Sequence, residues 1–193
     1  MREVFGKLER DDAWTGDVIL TGDVVVPEGV SLRVLPGTRL RAVAKPKWSC
    51  AVFRSAPEGW PIEASEREAC DIVVLGTLIM EGTTVAGEPW GGITLLKSAR
   101  AHLTKCSLEA RAPFGVQCFD DSRASLSNCR LSNCGIGIWG FGLSRVDAVG
   151  GSIAADKTGV LACEAAFVSL RSVDVSGVDG AVGAEGFAVV VAR

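Results

Sequence analysis

The sequence predicts an all-β parallel solenoid, and three observations predict it. The first is a period. Segments beginning at Gly92, Gly115, Gly137 and Gly159 align without a gap, and their starts lie 23, 22 and 22 residues apart. The second is the chemistry of the aligned columns. Ile93, Val116, Ile138 and Val160 share one column, and Ala101, Ala124, Val146 and Val168 another. Leu103, Leu126, Ala148 and Leu170 form a third, Cys106, Cys129, Gly151 and Val173 a fourth, and Leu108, Leu131, Ile153 and Val175 a fifth. Polar residues mostly fill the places between. The third is composition. There are 23 Gly and no Tyr, and apolar runs such as Ile72–Leu75 and Ala188–Ala192 have strand length. This suits many short strands with tight turns better than helices.

Each element follows from these columns. Alternation of apolar and polar residues marks strands with one buried face. The step from the third column to the fourth is odd, so the chain must bend there to keep both strands facing inward. The residues at the bend are Lys105, Asn128, Gly150 and Ser172, and Gly and Asn tolerate a left-handed backbone best. Each repeat then holds about three short strands. A lone coil cannot bury its apolar face, but stacked coils, about 4.8 Å apart, can. The echo LSNCRLSNC at 126–134 falls inside this rhythm. It places Cys129 in an inward column beside Cys106, and Cys134 in a connecting turn. A metal site would need further ligands, and His102 is the only histidine.

The 193 residues make one domain, 1–193, with regular coils over 92–185. Apolar residues are 48% of the chain, enough for a folded core. The net charge of −3, with both signs mixed, argues against nucleic-acid binding driven by bulk charge. No apolar run approaches the roughly 18 residues of a membrane span. MREVFGKLERDD at the start has no apolar signal-peptide core. Seven cysteines without a secretion signal lead us to expect reduced thiols in a cytoplasm. Val4, Phe5 and Leu8 have helical spacing, so a short helix is expected within a cap over 1–16. Residues 44–71, with three Pro, two Trp and two Cys, break the rhythm and predict a long excursion containing Trp48 and Trp60.

The first half carries a resemblance. VPEGVSLRVLPGTRL, VLGTLIMEGT and WGGITL, followed by coils with Asn-Cys and Gly-Ile, resemble the opening coils of right-handed parallel β-helix proteins, the pectate-lyase-like superfamily. The resemblance covers about 17–43 and 72–193. It implies a right-handed parallel β-helix with coils of about 22 residues. It leaves function open, because that architecture serves lyases, glycosidases, adhesins and non-enzymatic scaffolds.

A polysaccharide-cleaving member is expected to cluster acids on one outward face. The outward column Thr94, Gln117, Trp139 and Leu161 contains none. Asp120 and Asp121 are the nearest acids, read as a solvated turn. Arg100, Arg123 and Arg145 stand in register, with Phe167 next. Three stacked arginines repel unless acids or a bound anion intervene. They form either a surface salt-bridge ladder, with Asp120 and Asp121 as partners, or a groove for a carboxylated glycan or an acidic segment. Trp139 should point outward, either stacking on a sugar or covered. His102 and Asp147 lie two coils apart, too far for a catalytic hydrogen bond. No catalytic residue, metal or cofactor is expected, and no phosphate loop or nucleotide fingerprint is present. The leading expectation is a non-catalytic scaffold or binding protein that self-assembles or docks through its C-terminal coil, with Phe187, Val189 and Val191 as the edge. The alternative is a polysaccharide-binding or polysaccharide-cleaving protein.

Overall fold

The computed structural model describes residues 1–43, 69–86, 90–109 and 112–193. It is a parallel β-solenoid whose cross-section has three faces. The first face stacks β2 (Asp12–Trp14), β4 (Ser31–Val34), β7 (Thr77–Glu81), β10 (Arg100–Thr104), the start of β13 (Arg123–Gly140), the start of β14 (Arg145–Ala162), β15 (Phe167–Arg171) and β18 (Val189–Ala192). The second stacks the start of β3 (Asp17–Val26), β5 (Arg39–Ala42), β8 (Thr84–Ala86), β11 (Ser107–Leu108), the middle of β13 and β14, and β16 (Asp174–Gly177). The third stacks the end of β3, β6 (Cys70–Val74), β9 (Trp90–Leu95), β12 (Ala112–Cys118), the ends of β13 and β14, and β17 (Gly180–Ala184). All these pairings are parallel.

The predicted columns are the core. Leu103, Leu126, Leu131, Ile138, Val146 and Val160 are all buried. The column Trp14, Val34, Met80, Leu103, Leu126, Ala148 and Leu170 runs down the first face without a polar break. Residues between the columns are mostly exposed, as a period of two requires.

The corners explain the odd steps. Lys105, Asn128, Gly150 and Ser172 have φ of 52, 51, 64 and 53°, so the bend between the first and second faces is left-handed in each of the four aligned repeats. The corner from third face to first repeats at Lys97, Asp120, Gly142, Glu164 and Gly186, again with positive φ. The echo LSNCRLSNC is two corners rather than one. Asn128 and Asn133 both have positive φ, at 51 and 59°, and each is followed by a buried cysteine. Cys134 therefore stands in β13 within the core rather than in a connecting turn.

The glycines that open the repeats are required by contact. A Cβ on Gly115 would lie 2.8 Å from Leu131 Cδ2, on Gly137 2.2 Å from Ile153 Cγ2, and on Gly159 2.4 Å from Val175 Cγ1. The third corner is so tight that the inward side chain of the second face occupies the glycine's side-chain position.

The first residues depart from expectation. Among the described residues no helix covers the first coil; residues 2–7 form β1 (Arg2–Lys7), a strand paired in parallel with β3. An uncovered β3 edge would expose a row of backbone donors and acceptors, and pairing satisfies them where a helix would not. Leu8 N continues the ladder by donating to Val25 O at 2.9 Å. The excursion expected over 44–71 lies outside the described residues for 44–68, which include Trp48 and Trp60. Cys70 and Asp71 belong to β6.

Candidate functional site

The arginine ladder forms as the alignment requires. β10, β13 and β14 place Arg100, Arg123 and Arg145 side by side on the outer surface of the first face, with Phe167 of β15 next. The backbone puts them there because Ala101, Ala124 and Val146 turn inward, and the strand period sends each preceding residue outward. All three arginines are exposed. With His102, Ser125 and Asp147 they line a shallow groove of about 320 Å³.

The three arginines are not equivalent. Arg145 is held: its Nε donates to Asp147 Oδ2 at 3.3 Å, and its guanidinium lies 4.9 Å from the centre of the Phe167 ring. Arg100 and Arg123 have no ion pair among the described residues. Asp120 and Asp121 do not serve them. Asp120 Oδ2 accepts from Lys97 N at 2.8 Å, and the Asp121 carboxylate accepts from Ser98 Oγ at 2.8 Å. Both acids tie one corner turn to the turn above it. Lys97 Nζ meets Glu28 Oε1 at 2.8 Å; that hydrogen bond raises the lysine's pKa and lowers the glutamate's. The expected salt-bridge ladder therefore reduces to one pair, Arg145–Asp147.

Trp139 points away from the main core but is 5% exposed. It sits in a second apolar cluster, stacked on Phe114 at 5.2 Å and edge-on to Phe119 at 5.5 Å. Its Nε1 donates to Cys163 Sγ at 3.5 Å. It is not an open sugar platform. Its outward column is buried from Val25 through Val73, Thr94 and Gln117 to Trp139, and half-buried at Leu161. Sequence reasoning missed this cluster, although Phe114, Phe119 and Phe141 all lie near Trp139 in the alignment. His102 is exposed and lies over Ser125, with Asp147 one coil further.

At the C-terminal coil, β16 and β17 pair only with β14, and β18 only with β15. Their other edges are unpaired among the described residues. Val175, Ala188 and Val190 are the last members of the core columns and only partly buried. Phe187 is 91% exposed, and Val178, Val182 and Val189 are also exposed. Phe187 stands in the turn before β18, its N donating to Glu164 O, rather than in the strand. Val189 and Val191 continue the outer columns of Arg145 and Asp147; Val190 is the core member. The Gly-rich stretch 177–185 does not fold over the end, because it forms β17.

Among the described residues no group of three or more His, Cys, Asp or Glu is placed to hold a metal ion, and no helix is long and apolar enough to cross a membrane. Six described cysteines are free and buried. Fold and site together define a parallel β-solenoid with three arginines in register on its first face. Protein-family models, curated proteins and solved structures contain no match to the chain.

Proposed function

We propose that the protein is a non-catalytic β-solenoid scaffold that works by association through its C-terminal coil. The observation behind this reading is the asymmetry of the two ends. At the N-terminal end, β1 lies over β3 with its other edge also unpaired among the described residues, but it exposes mainly charged residues, Arg2, Glu3 and Lys7, beside a single Phe5. At the other end, three strands keep a free edge beside exposed Phe187, Val189 and Val182. Free edges of this kind template pairing with another chain. A second copy offers the same apolar surface, so a two-fold, self-complementary contact closes it. A reducing compartment such as the cytoplasm fits the six free thiols.

Sedimentation velocity over a wide concentration range tests the reading. The wild type should form dimers or larger species. Val189→Lys, which sets a charge beside the edge, and Ala192→Pro, which blocks its backbone, should both sediment as monomers. A wild type that stays monomeric at the highest concentration overturns the proposal.

A second reading, in line with the pectate-lyase-like resemblance, is that the first face binds an acidic glycan. It rests on Arg100 and Arg123, exposed and without acid partners among the described residues. Strand spacing sets these cations about 4.8 Å apart along the axis. An extended peptide repeats same-side groups at about 6.8 Å, whereas a polyuronate carries one carboxylate per sugar ring. Electrophoresis through a gel containing polyuronate should retard the wild type and not Arg100→Ala/Arg123→Ala. Arg39→Ala, which removes a cation paired with Asp17 on another face, should leave retardation intact. Equal migration of all three proteins would remove this reading.

A further inference from the structure

Six described cysteines are buried, but only two of them are neighbours in adjacent coils. Arg130 N donates to Cys106 O at 2.8 Å, and Ser107 pairs with Arg130, which sets Cys106 directly beside Cys129. Each follows a left-handed residue, Lys105 at φ 52° and Asn128 at φ 51°. The local backbone is therefore the same at both positions, and the two side chains enter the core in parallel. Their exposures are 2% and 4%. Cys106 Sγ donates to Met80 O at 3.4 Å, and Cys129 Sγ to Leu103 O at 3.4 Å. Each thiol thus hangs from a carbonyl of the coil above, at the same height in its own coil.

No other described thiol has such a neighbour. Cys118 stands between Leu95 and Gly140, and Cys134 between Ala112 and Ala155. Cys70 pairs with Trp90. Beyond the pair itself, the column offers Gly151 next to Cys129 and no further sulfur. Neighbouring strands hold their Cα atoms about 4.8 Å apart, inside the roughly 4.4–6.8 Å range of disulfides.

We propose that Cys106 and Cys129 are an oxidative modification site, which hydrogen peroxide converts to a disulfide linking the two coils that present Arg100 and Arg123. The step balances in two stages. One thiolate attacks peroxide, its sulfur is oxidised to a sulfenic acid, and the peroxide is reduced to water. The second thiol then attacks that sulfur, forming the S–S bond and releasing a second water. Two thiols and one peroxide give one disulfide and two waters. The chemistry of the remaining thiols favours this pair. The proximity of the two thiols lowers the pKa of Cys129 and raises that of Cys106, so one thiol of the pair gives up its proton first, whereas burial pushes Cys70 and Cys134 up to about 11 and Cys118 up to about 12. A thiolate, not a thiol, is the attacking species. Both sulfurs are buried, which excludes bulky oxidants.

The experiment uses the full chain, fully reduced and then treated with dilute peroxide. Non-reducing digestion and mass spectrometry should find the Cys106 and Cys129 peptides joined, two hydrogen masses lighter than their sum. The oxidised protein should melt several degrees higher, because the bridge closes a loop in the unfolded chain, and a reductant should reverse the shift. Cys106→Ser and Cys129→Ser should each abolish both effects. Peptide mapping of the wild type stands even if a variant folds poorly. Sulfinic acid on Cys129 without the linked peptides, a different pair oxidised first, or a lower melting temperature after oxidation would each overturn the proposal.

Discussion

At the scale of single residues, the chain is governed by what its corners admit. Gly137 is the sharpest case. A methyl group there would sit 2.2 Å from Ile153 Cγ2 and 2.5 Å from Gly159 O, and a backbone oxygen in a stacked coil cannot withdraw. Overpacking of this kind costs about 1–3 kcal/mol or more. Gly137→Ala should therefore lower the urea midpoint clearly, while Gly29→Ala, with open space around it but φ of 77°, should cost less. Asp71 makes a second case. Its backbone N donates to Asp23 Oδ1 at 2.9 Å, and a Cβ on Gly91 would meet its own carboxylate. Burial, and then the neighbouring Asp23 charge, raise the Asp71 pKa well above 3.8. Between 3.8 and that raised value the folded chain keeps a proton that the unfolded chain has lost. Stability from this group is full below 3.8 and falls as pH rises through the window. Asp71→Asn should flatten that part of the stability–pH curve, measured by denaturant unfolding at a series of pH values; an unchanged slope would rule this origin out.

At the scale of elements, corners and strands were not equally legible. The bend at Lys105, Asn128, Gly150 and Ser172 could be located from the odd step between apolar columns, because only a bend keeps both strands inward. Its left-handed backbone was signalled by Asn and Gly alone, yet Lys105 and Ser172 adopt it too. The stacked ladder imposes the conformation on whatever residue arrives there. A lysine in that region is strained by roughly 1–2 kcal/mol, and glycine loses that strain while adding chain entropy. Lys105→Gly should raise the thermal midpoint slightly, and Lys105→Val should lower it, as read by calorimetry. β1 was not legible. Val4, Phe5 and Leu8 satisfy a helical period, but the open edge of β3 accepted the segment as a strand. Local periodicity over so few residues cannot outweigh a row of unpaired backbone groups.

For the molecule as a whole, the coils form a core in which every turn supports its neighbours, so stability accumulates along the axis and is weakest where stacking stops. The last coil is that place. Residues 173–193 are all exposed or half-buried, in contrast with the buried inward side chains of the coils before them, such as Val18, Leu78, Leu103, Leu126, Val146 and Leu170. If association covers this end, the melting temperature should rise with protein concentration, because assembly stabilises the folded state by mass action. Val189→Lys should melt at one temperature at every concentration. The candidate binding face was legible as three arginines in register; how each is partnered was not. Arg145 is neutralised by a residue two places along its own strand, while Asp120 and Asp121, close in sequence to Arg123, turn away to tie adjacent corners.

By itself the sequence determined the period, the inward columns, the place of the bend between the first and second faces, and the register of the arginines. All four follow from spacing along the chain, and stacking identical coils turns spacing directly into position. Only the tertiary structure decided what lies across a corner or beyond an edge: that Trp139 packs with Phe114 and Phe119, that Cys134 turns into the core, that residues 2–7 pair as a strand, and that Phe187 stays exposed. The reason is physical. An outward residue in a solenoid is buried or free according to what packs onto its face, and an edge is paired or open according to which segment reaches it; neither is written in the local alternation of apolar and polar residues.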